Sequence, residues 1–282
     1  MTPRFTRRVL GKHDVGYHWC RACGLLQTEE PYWLDEAYAT AIAELDTGIV
    51  QRNLRFSQIV AGLLYFSFDR QGAYVDVAGG YGLLTRLMRD TGFDFRWSDR
   101  YAQNLMARGF EARPGEPHEA VTAFEVLEHV RDPVSFLREA LTRWKSGSVL
   151  FSTDLYRGDP PEPEAWWYYA FETGQHVSFY CKRTLEVLGE KLGLRLHSHA
   201  NFHLLSERRI GFPKFQLLTG NRSRSIARYV KKRMRSRDVR FSMSTFEKTA
   251  LGTLMTVRAG VRTRVDRSPM SSTQPSWVPK RQ

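Results

Sequence analysis

Tyr74-Val75-Asp76-Val77-Ala78-Gly79-Gly80-Tyr81-Gly82-Leu83-Leu84 is the stretch on which the fold turns. An apolar run over residues 73–77 contains an acid, a glycine-rich turn over 78–82 follows, and an apolar-spaced helix starts at once. Glycines let backbone approach a ligand closely, and a helix N-terminus presents unpaired N–H groups. Asp76 is thereby placed to attract an ammonium group or to order a water beside one. Asp99 stands 23 residues beyond Asp76, just after a second strand. An acid there is suited to accept hydrogen bonds from two ribose hydroxyls. A pyrophosphate-binding turn would read Gly-x-Gly-x-x-Gly. Glycines at 79, 80 and 82 followed by Leu83-Leu84-Thr85 disfavour a nicotinamide dinucleotide and suit a ligand without pyrophosphate.

Outward from this unit the pattern strand, turn, helix repeats. Strands are predicted at 73–77, 93–97, 110–112, 120–124 and 148–152, with a closing pair at 194–199 and 202–205. Helices are predicted at 83–89, 102–108, from Pro133 with Asp132 as N-cap, and at 184–192. Earlier in the chain, residues 34–46 and 53–68 read as helices. In the second of these, Phe56, Ile59, Val60, Leu63 and Leu64 recur at the spacing of one buried face. The fold class is α/β: a Rossmann-like, doubly wound, mostly parallel sheet of seven strands. The organisation read from this is a small irregular leader over 1–33, a ligand-binding domain over 34–220, and a basic tail over 221–282. In that tail 221–240 is expected as a loose basic helix and 263–282 as disordered.

At 282 residues, 42% hydrophobic and 13% aromatic, the chain is globular and not disordered. The net charge of +12 is uneven: residues 1–206 carry 23 Lys+Arg against 26 Asp+Glu, whereas 207–282 carry 19 against 4. The basicity therefore belongs to the C-terminal part and does not argue for nucleic-acid binding by the whole protein. No run reaches the roughly 20 apolar residues of a membrane span, and no secretory signal is read, so a cytoplasmic protein is expected. Three cysteines are too few for a disulfide framework.

The segment Thr122-Ala123-Phe124-Glu125-Val126-Leu127-Glu128-His129-Val130-Arg131-Asp132-Pro133 completes a resemblance. The chain resembles the class I S-adenosylmethionine-dependent methyltransferases, in the branch with Glu-Val-Leu-Glu-His after the fourth strand. The resemblance covers roughly residues 10–210. It implies S-adenosyl-L-methionine as cofactor, with its methionine part held by Asp76, Ala78, Gly79, Gly80 and Gly82. Its ribose would be held by Asp99, and Phe124, Glu125 and Val126 would line its other side. Ala78 departs from the family's usual first glycine.

Bases for an acceptor hydroxyl are sought in the segment after the fifth strand. His176 lies there, beside Gln175 and the aromatic run Trp166-Trp167-Tyr168-Tyr169. An imidazole suits that task, and His176 is the expected catalytic residue. His129 is read as structural and Glu125 as a cofactor wall. The aromatic run would stack on a sugar or aromatic acceptor. Cys20-x-x-Cys23 is half of a structural zinc site, read as vestigial, so no metal is expected. The acceptor is read as a small molecule or a glycan-linked hydroxyl. Two rival readings are a nucleic-acid methyltransferase guided by the basic tail, and a non-catalytic binding protein that keeps the fold.

Overall fold

The structure, a computed structural model, describes residues 1–39 and 47–234. Part of the expected helix over 34–46 and the tail beyond 234, including the expected disorder over 263–282, lie outside the described residues. The chain starts with strands β1 (Thr2–Val9), β2 (His13–Trp19) and β3 (Leu26–Thr28), then helices α1 (Leu34–Ala37) and α2 (Ile49–Ser67). The alternating unit follows: β4 (Ala73–Val77), α3 (Leu83–Thr91), β5 (Asp94–Ser98), β6 (Ala120–Ala123), α4 (Pro133–Arg143) and β7 (Ser148–Ser152). After β8 (Leu155–Tyr156) and β9 (Ser178–Cys181) come α5 (Lys182–Leu192), β10 (Arg195–His199), β11 (Phe202–Ser206), α6 (Phe212–Thr219) and α7 (Ser223–Arg233).

The main sheet has the order β10-β11-β7-β6-β4-β5. Pairing is parallel from β5 to β7 and antiparallel at β11 and β10. Its strands read as short apolar runs because helices cover both faces, and β6 and β7 are buried throughout. The strand expected near 110–112 is reduced to one parallel bridge, Trp97 to Glu111. No helix forms over 102–108. There the Asn104 side chain bonds both the N–H and the C=O of Ala107, the local competition with helix that asparagine favours.

Helix α2 shows the predicted face: Phe56, Ile59, Val60, Leu63 and Leu64 are all buried, each contributing about 2 kcal/mol of hydrophobic stabilisation. Helix α7 lies against α2, where a Cβ on Gly62 would stand 3.0 Å from Ile226 and Tyr229 stacks on Phe66. The expected loose basic helix is therefore packed as far as Arg233, with Val230 buried. On the other side of the sheet Asp132 caps α4 as read, accepting from the Ser135 N–H at 3.0 Å.

The leader is not irregular. Strands β1, β2 and β3 join β9 and β8 in a second sheet of order β1-β2-β3-β9-β8. Leu26 pairs with Phe179 across it. Its apolar face, with Val9, Val15, Tyr17 and Leu26, packs on Tyr168, Tyr169, Val177 and Phe179 of the segment after β7. The described residues all fall within one compact unit.

Candidate active site

Parallel register aligns the C-terminal ends of β4, β5, β6 and β7, so the loops that leave them meet along one edge of the sheet. On β4, Asp76 pairs with Trp97 on one side and Thr122 on the other, and it is buried. The Thr122 hydroxyl donates to Asp76 Oδ1 at 2.6 Å. Burial pushes the Asp76 carboxyl up to about 7, and the nearby Asp99 adds to the rise. The carboxylate lies beneath the turn: a Cβ on Gly79 would stand 2.8 Å from Asp76 Oδ2 and 3.0 Å from Trp97. Only glycine fits there. Asp76 thus packs directly against the turn at Gly79.

The turn itself is left-handed at Ala78 (φ +53), Gly80 (φ +53) and Gly82 (φ +84). Ala78 adopts a backbone angle that glycine takes more readily than alanine, at a cost of about 1 kcal/mol. Two bonds clamp Gly80: its N–H donates to Asp99 Oδ2 at 2.9 Å, and its carbonyl accepts from Trp97 Nε1 at 2.9 Å. Asp99 Oδ1 also accepts the N–H groups of Tyr101 and Ala102, at 2.7 and 2.8 Å. Asp99 is therefore first the anchor of two loops, with one of about four lone-pair positions left for a ligand. In front of Gly80 the space is open, with no atom within 4 Å of an added Cβ.

After β6 the three expected wall residues diverge. Phe124 stacks on Phe56 at 4.6 Å and meets Phe202 at 5.1 Å, so it serves the core. Val126 is buried in the opposite core cluster. Glu125 is left-handed (φ +54) and half-exposed, with Arg52 at 3.6 Å.

His176 donates from Nδ1 to the Tyr168 carbonyl at 2.7 Å, since a carbonyl only accepts. Its Nε2 then carries the lone pair. Burial holds the imidazole down to about 4, so it is neutral at pH 7. His129 stands beside it with ring centroids 4.9 Å apart and donates from Nδ1 to the Gln175 carbonyl at 3.0 Å. Burial lowers His129 to about 3. Glu128 is buried next to both, its carboxyl pushed up to about 8 by burial and by the charge of Glu125. Sequence reasoning passed over Glu128 although it stands in the quoted motif, because a buried acid has no signature in one sequence. Tyr38 and Gln175 were missed too: the Tyr38 hydroxyl meets His129 Nδ1 at 3.0 Å, and Gln175 Nε2 donates to the Ala37 carbonyl at 2.9 Å.

Of the aromatic run, Tyr168 and Tyr169 are core and Trp166 packs among them. Trp167 alone of the four is exposed, at 77%. No disulfide joins Cys20, Cys23 or Cys181 among the described residues. The Thr184 hydroxyl donates to the Cys23 carbonyl at 2.9 Å and Cys181 lies alongside, which ties the Cys20–Cys23 knuckle to the start of α5.

The chain is similar to solved structures of the same architecture. TnmH is 19% identical with a TM-score of 0.44, over 62% of this chain and 60% of its own. An O-methyltransferase family protein from Burkholderia thailandensis is 16% identical with a TM-score of 0.46, over 68% of this chain and 66% of its own. The magnesium protoporphyrin IX methyltransferase of Synechocystis PCC 6803, solved with bound SAH, is 14% identical with a TM-score of 0.40, over 61% of this chain and 90% of its own. The chain spans less than two thirds of the length of the first two. No curated protein sequence matches it. The family profile described as "Methyltransferase domain" matches residues 50–199, more than half of the 282 and the span from α2 to the end of β10. The chain belongs to the methyltransferase-domain family.

Proposed function

We propose that the chain is an enzyme that transfers a methyl group from S-adenosylmethionine to a hydroxyl of a small-molecule or glycan-linked acceptor. The observation that carries this reading is one sheet edge bearing two built features. One is the left-handed turn Ala78–Gly82 clamped by Asp99. The other is His176, whose tautomer is fixed by the Tyr168 carbonyl.

The residues suit the cofactor. The open face of Gly80 admits a ligand against backbone, and Asp99 retains acceptor capacity for a ribose hydroxyl. Asp76, Ala78, Gly79, Gly80 and Gly82 would hold the amino-acid end, with Asp76 acting through the turn that it supports. Glu125 remains as wall; Phe124 and Val126 contribute by fixing the backbone on either side of it. S-adenosylmethionine supplies a methyl group already activated on a sulfonium, so the protein has to position the acceptor more than to activate it. His176 does this by offering Nε2 to the acceptor's O–H, orienting an oxygen lone pair and taking the proton as the methyl arrives. Its neutrality at pH 7 keeps that lone pair available. Trp167 offers an exposed aromatic face on the same segment.

The Thr122–Pro133 segment supports placing the chain in the Glu-Val-Leu-Glu-His branch. Among the described residues no helix is long and apolar enough to cross a membrane. Three cysteines, too few for a disulfide framework, fit a reducing compartment, which supports a cytoplasmic setting.

Calorimetry of S-adenosylmethionine and S-adenosylhomocysteine with the purified chain tests the reading. Micromolar binding is expected. Its absence in folded protein would leave a methyltransferase fold without a methyl donor and sink the proposal.

A further inference from the structure

Glu128, His129 and His176 form a second arrangement that methyl transfer does not require. One ligand atom from each lies within 4.8 Å of those of the other two. The three come from two segments locked together by backbone: His129 ends the turn Leu127–His129, His176 precedes β9, and the Val177 N–H donates to the Glu128 carbonyl at 2.8 Å. Both imidazoles give their Nδ1 proton to a main-chain carbonyl, Gln175 for His129 and Tyr168 for His176. Each therefore presents an unprotonated Nε2. Metal-binding histidines are held in this manner, with the outer nitrogen fixing ring and tautomer.

The independent observation is Glu128. It is 1% exposed, and among the described residues its Oε2 has no hydrogen-bond partner. A buried carboxylate oxygen without a partner is costly, and protein interiors rarely leave one so. Two histidines with a free lone pair and a buried carboxyl with an unpartnered oxygen, clustered within 4.8 Å, are three donors that one cation would satisfy. We infer that Glu128, His129 and His176 bind a single divalent transition-metal cation.

Two imidazoles and one carboxylate favour Zn²⁺, Co²⁺, Fe²⁺ or Mn²⁺ over Mg²⁺ and Ca²⁺, which prefer oxygen throughout. Bonds of about 2.1 Å need the donors roughly 3.5 Å apart, so rotamer adjustments of about an ångström close the site. Three protein ligands leave a coordination position for water or an acceptor oxygen. The inference shares His176 with the methyl-transfer reading, but its test, metal binding without cofactor or acceptor, does not depend on that reading. It changes that reading in one respect, since a hydroxyl would then meet the cation in place of the His176 Nε2.

The test uses full-length protein stripped with chelator, titrated with Co²⁺ and with Zn²⁺ in the absence of cofactor and acceptor. One equivalent of each is expected to bind. The Co²⁺ spectrum should show d–d absorption without a thiolate charge-transfer band, which excludes Cys20 and Cys23 as the ligands. Glu128→Gln keeps shape and removes the ionisable oxygen that would become the anionic ligand, and His176→Ala removes a nitrogen. Each should weaken binding by at least about a hundredfold, the upper end of what losing a mere outer partner costs. A Cys20→Ser/Cys23→Ser variant should bind normally. No binding by the wild type would overturn the site and leave Glu128 sharing a proton with a histidine. So would binding that survives Glu128→Gln or follows the cysteines.

Discussion

Ser152 and Glu125 exchange two hydrogen bonds: the Ser152 hydroxyl donates to Glu125 Oε1 at 2.5 Å and accepts from the Glu125 N–H at 2.8 Å. This pair stitches the end of β7 to the end of β6, where Glu125 takes a left-handed angle that a non-glycine residue resists. Ser152→Ala leaves both groups of Glu125 without that partner. Ser152 is fully buried, so unfolding free energy is expected to fall by about 1–3 kcal/mol in urea titration. An unchanged midpoint would mean that Glu125 is held by the rest of the loop.

Ala78 sets up the opposite experiment. At φ +53 its Cβ is strained, and glycine at that position relieves about 1 kcal/mol while losing part of it through a freer unfolded chain. Ala78→Gly should leave stability unchanged or raise it slightly, and should tighten S-adenosylmethionine binding. Gly79→Ala, one residue on, should destabilise, because its Cβ would collide with Asp76 Oδ2. Equal effects from the two changes would contradict the geometry of the turn.

Trp33 ties the N-terminal sheet to the acceptor side. It is buried, and its Nε1 donates to the Gly174 carbonyl at 2.8 Å, two residues before His176. Trp33→Phe keeps a smaller aromatic ring, deletes the bond and leaves a small cavity, which together should cost about 2–3 kcal/mol. Turnover should fall while the dissociation constant for S-adenosylmethionine holds. A parallel loss of cofactor affinity would show that Trp33 acts on the whole fold instead.

That coupling was not legible in the sequence, and the reason is physical. The strand–turn–helix unit around Asp76, the face of α2 and the cap at Asp132 are local patterns, each complete within a few residues. Leu26 by contrast pairs with Phe179, and nothing local announces a partner so far along the chain. The first hairpin was hidden as well. It turns through two left-handed residues, Leu10 (φ +52) and Gly11 (φ +71), where Asn-Gly would have been the readable signal. His176 was found by its position after the fifth strand. Glu128 was not, because its burial depends on the segment before β9, which packs with that missed sheet.

Opposed buried groups give metal-free protein a defined pH optimum of stability. Asp76 and Glu128 have folded values raised to about 7 and 8 by burial, so the native state holds more protons than the unfolded chain. Their contribution is present at low pH and is lost as pH rises through those values. His129, His176 and His203 are lowered by burial to about 3, 4 and 4, so their contribution is present above about 6.5 and is lost as pH falls. From about pH 4.5 to 6.5 three histidines outweigh two acids and stability climbs. Above about 6.5 only the acids titrate and it declines, by up to about 1.4 kcal/mol per pH unit for each proton. Melting temperature should peak near pH 6.5, and Glu128→Gln should flatten the alkaline side. A melting temperature that rises steadily to pH 8 would show that these groups do not govern the profile.

Asp99 separates anchoring from ligand binding. Its Oδ1 takes two N–H groups from the loop after β5 and its Oδ2 takes one from Gly80, so the two oxygens hold two different loops. Asp99→Asn keeps one oxygen. The amide orients it toward Tyr101 and Ala102, because two bonds outweigh one, and its NH₂ then faces the Gly80 N–H as donor against donor. Asp99→Ala releases all three. Stability should therefore fall in the order wild type, Asn, Ala, with the Asn variant within about 1 kcal/mol of wild type, since these groups are partly exposed and water can replace the carboxylate. Cofactor affinity should follow a different pattern. If Asp99 also accepts a ribose hydroxyl, both variants lose at least about tenfold, because the amide's oxygen is spent on the loop and its NH₂ repels a second donor. Calorimetry on the Asn variant decides between the two roles: a folded protein with weakened S-adenosylmethionine binding supports ribose recognition, whereas unaltered affinity would reduce Asp99 to the anchor of the glycine turn.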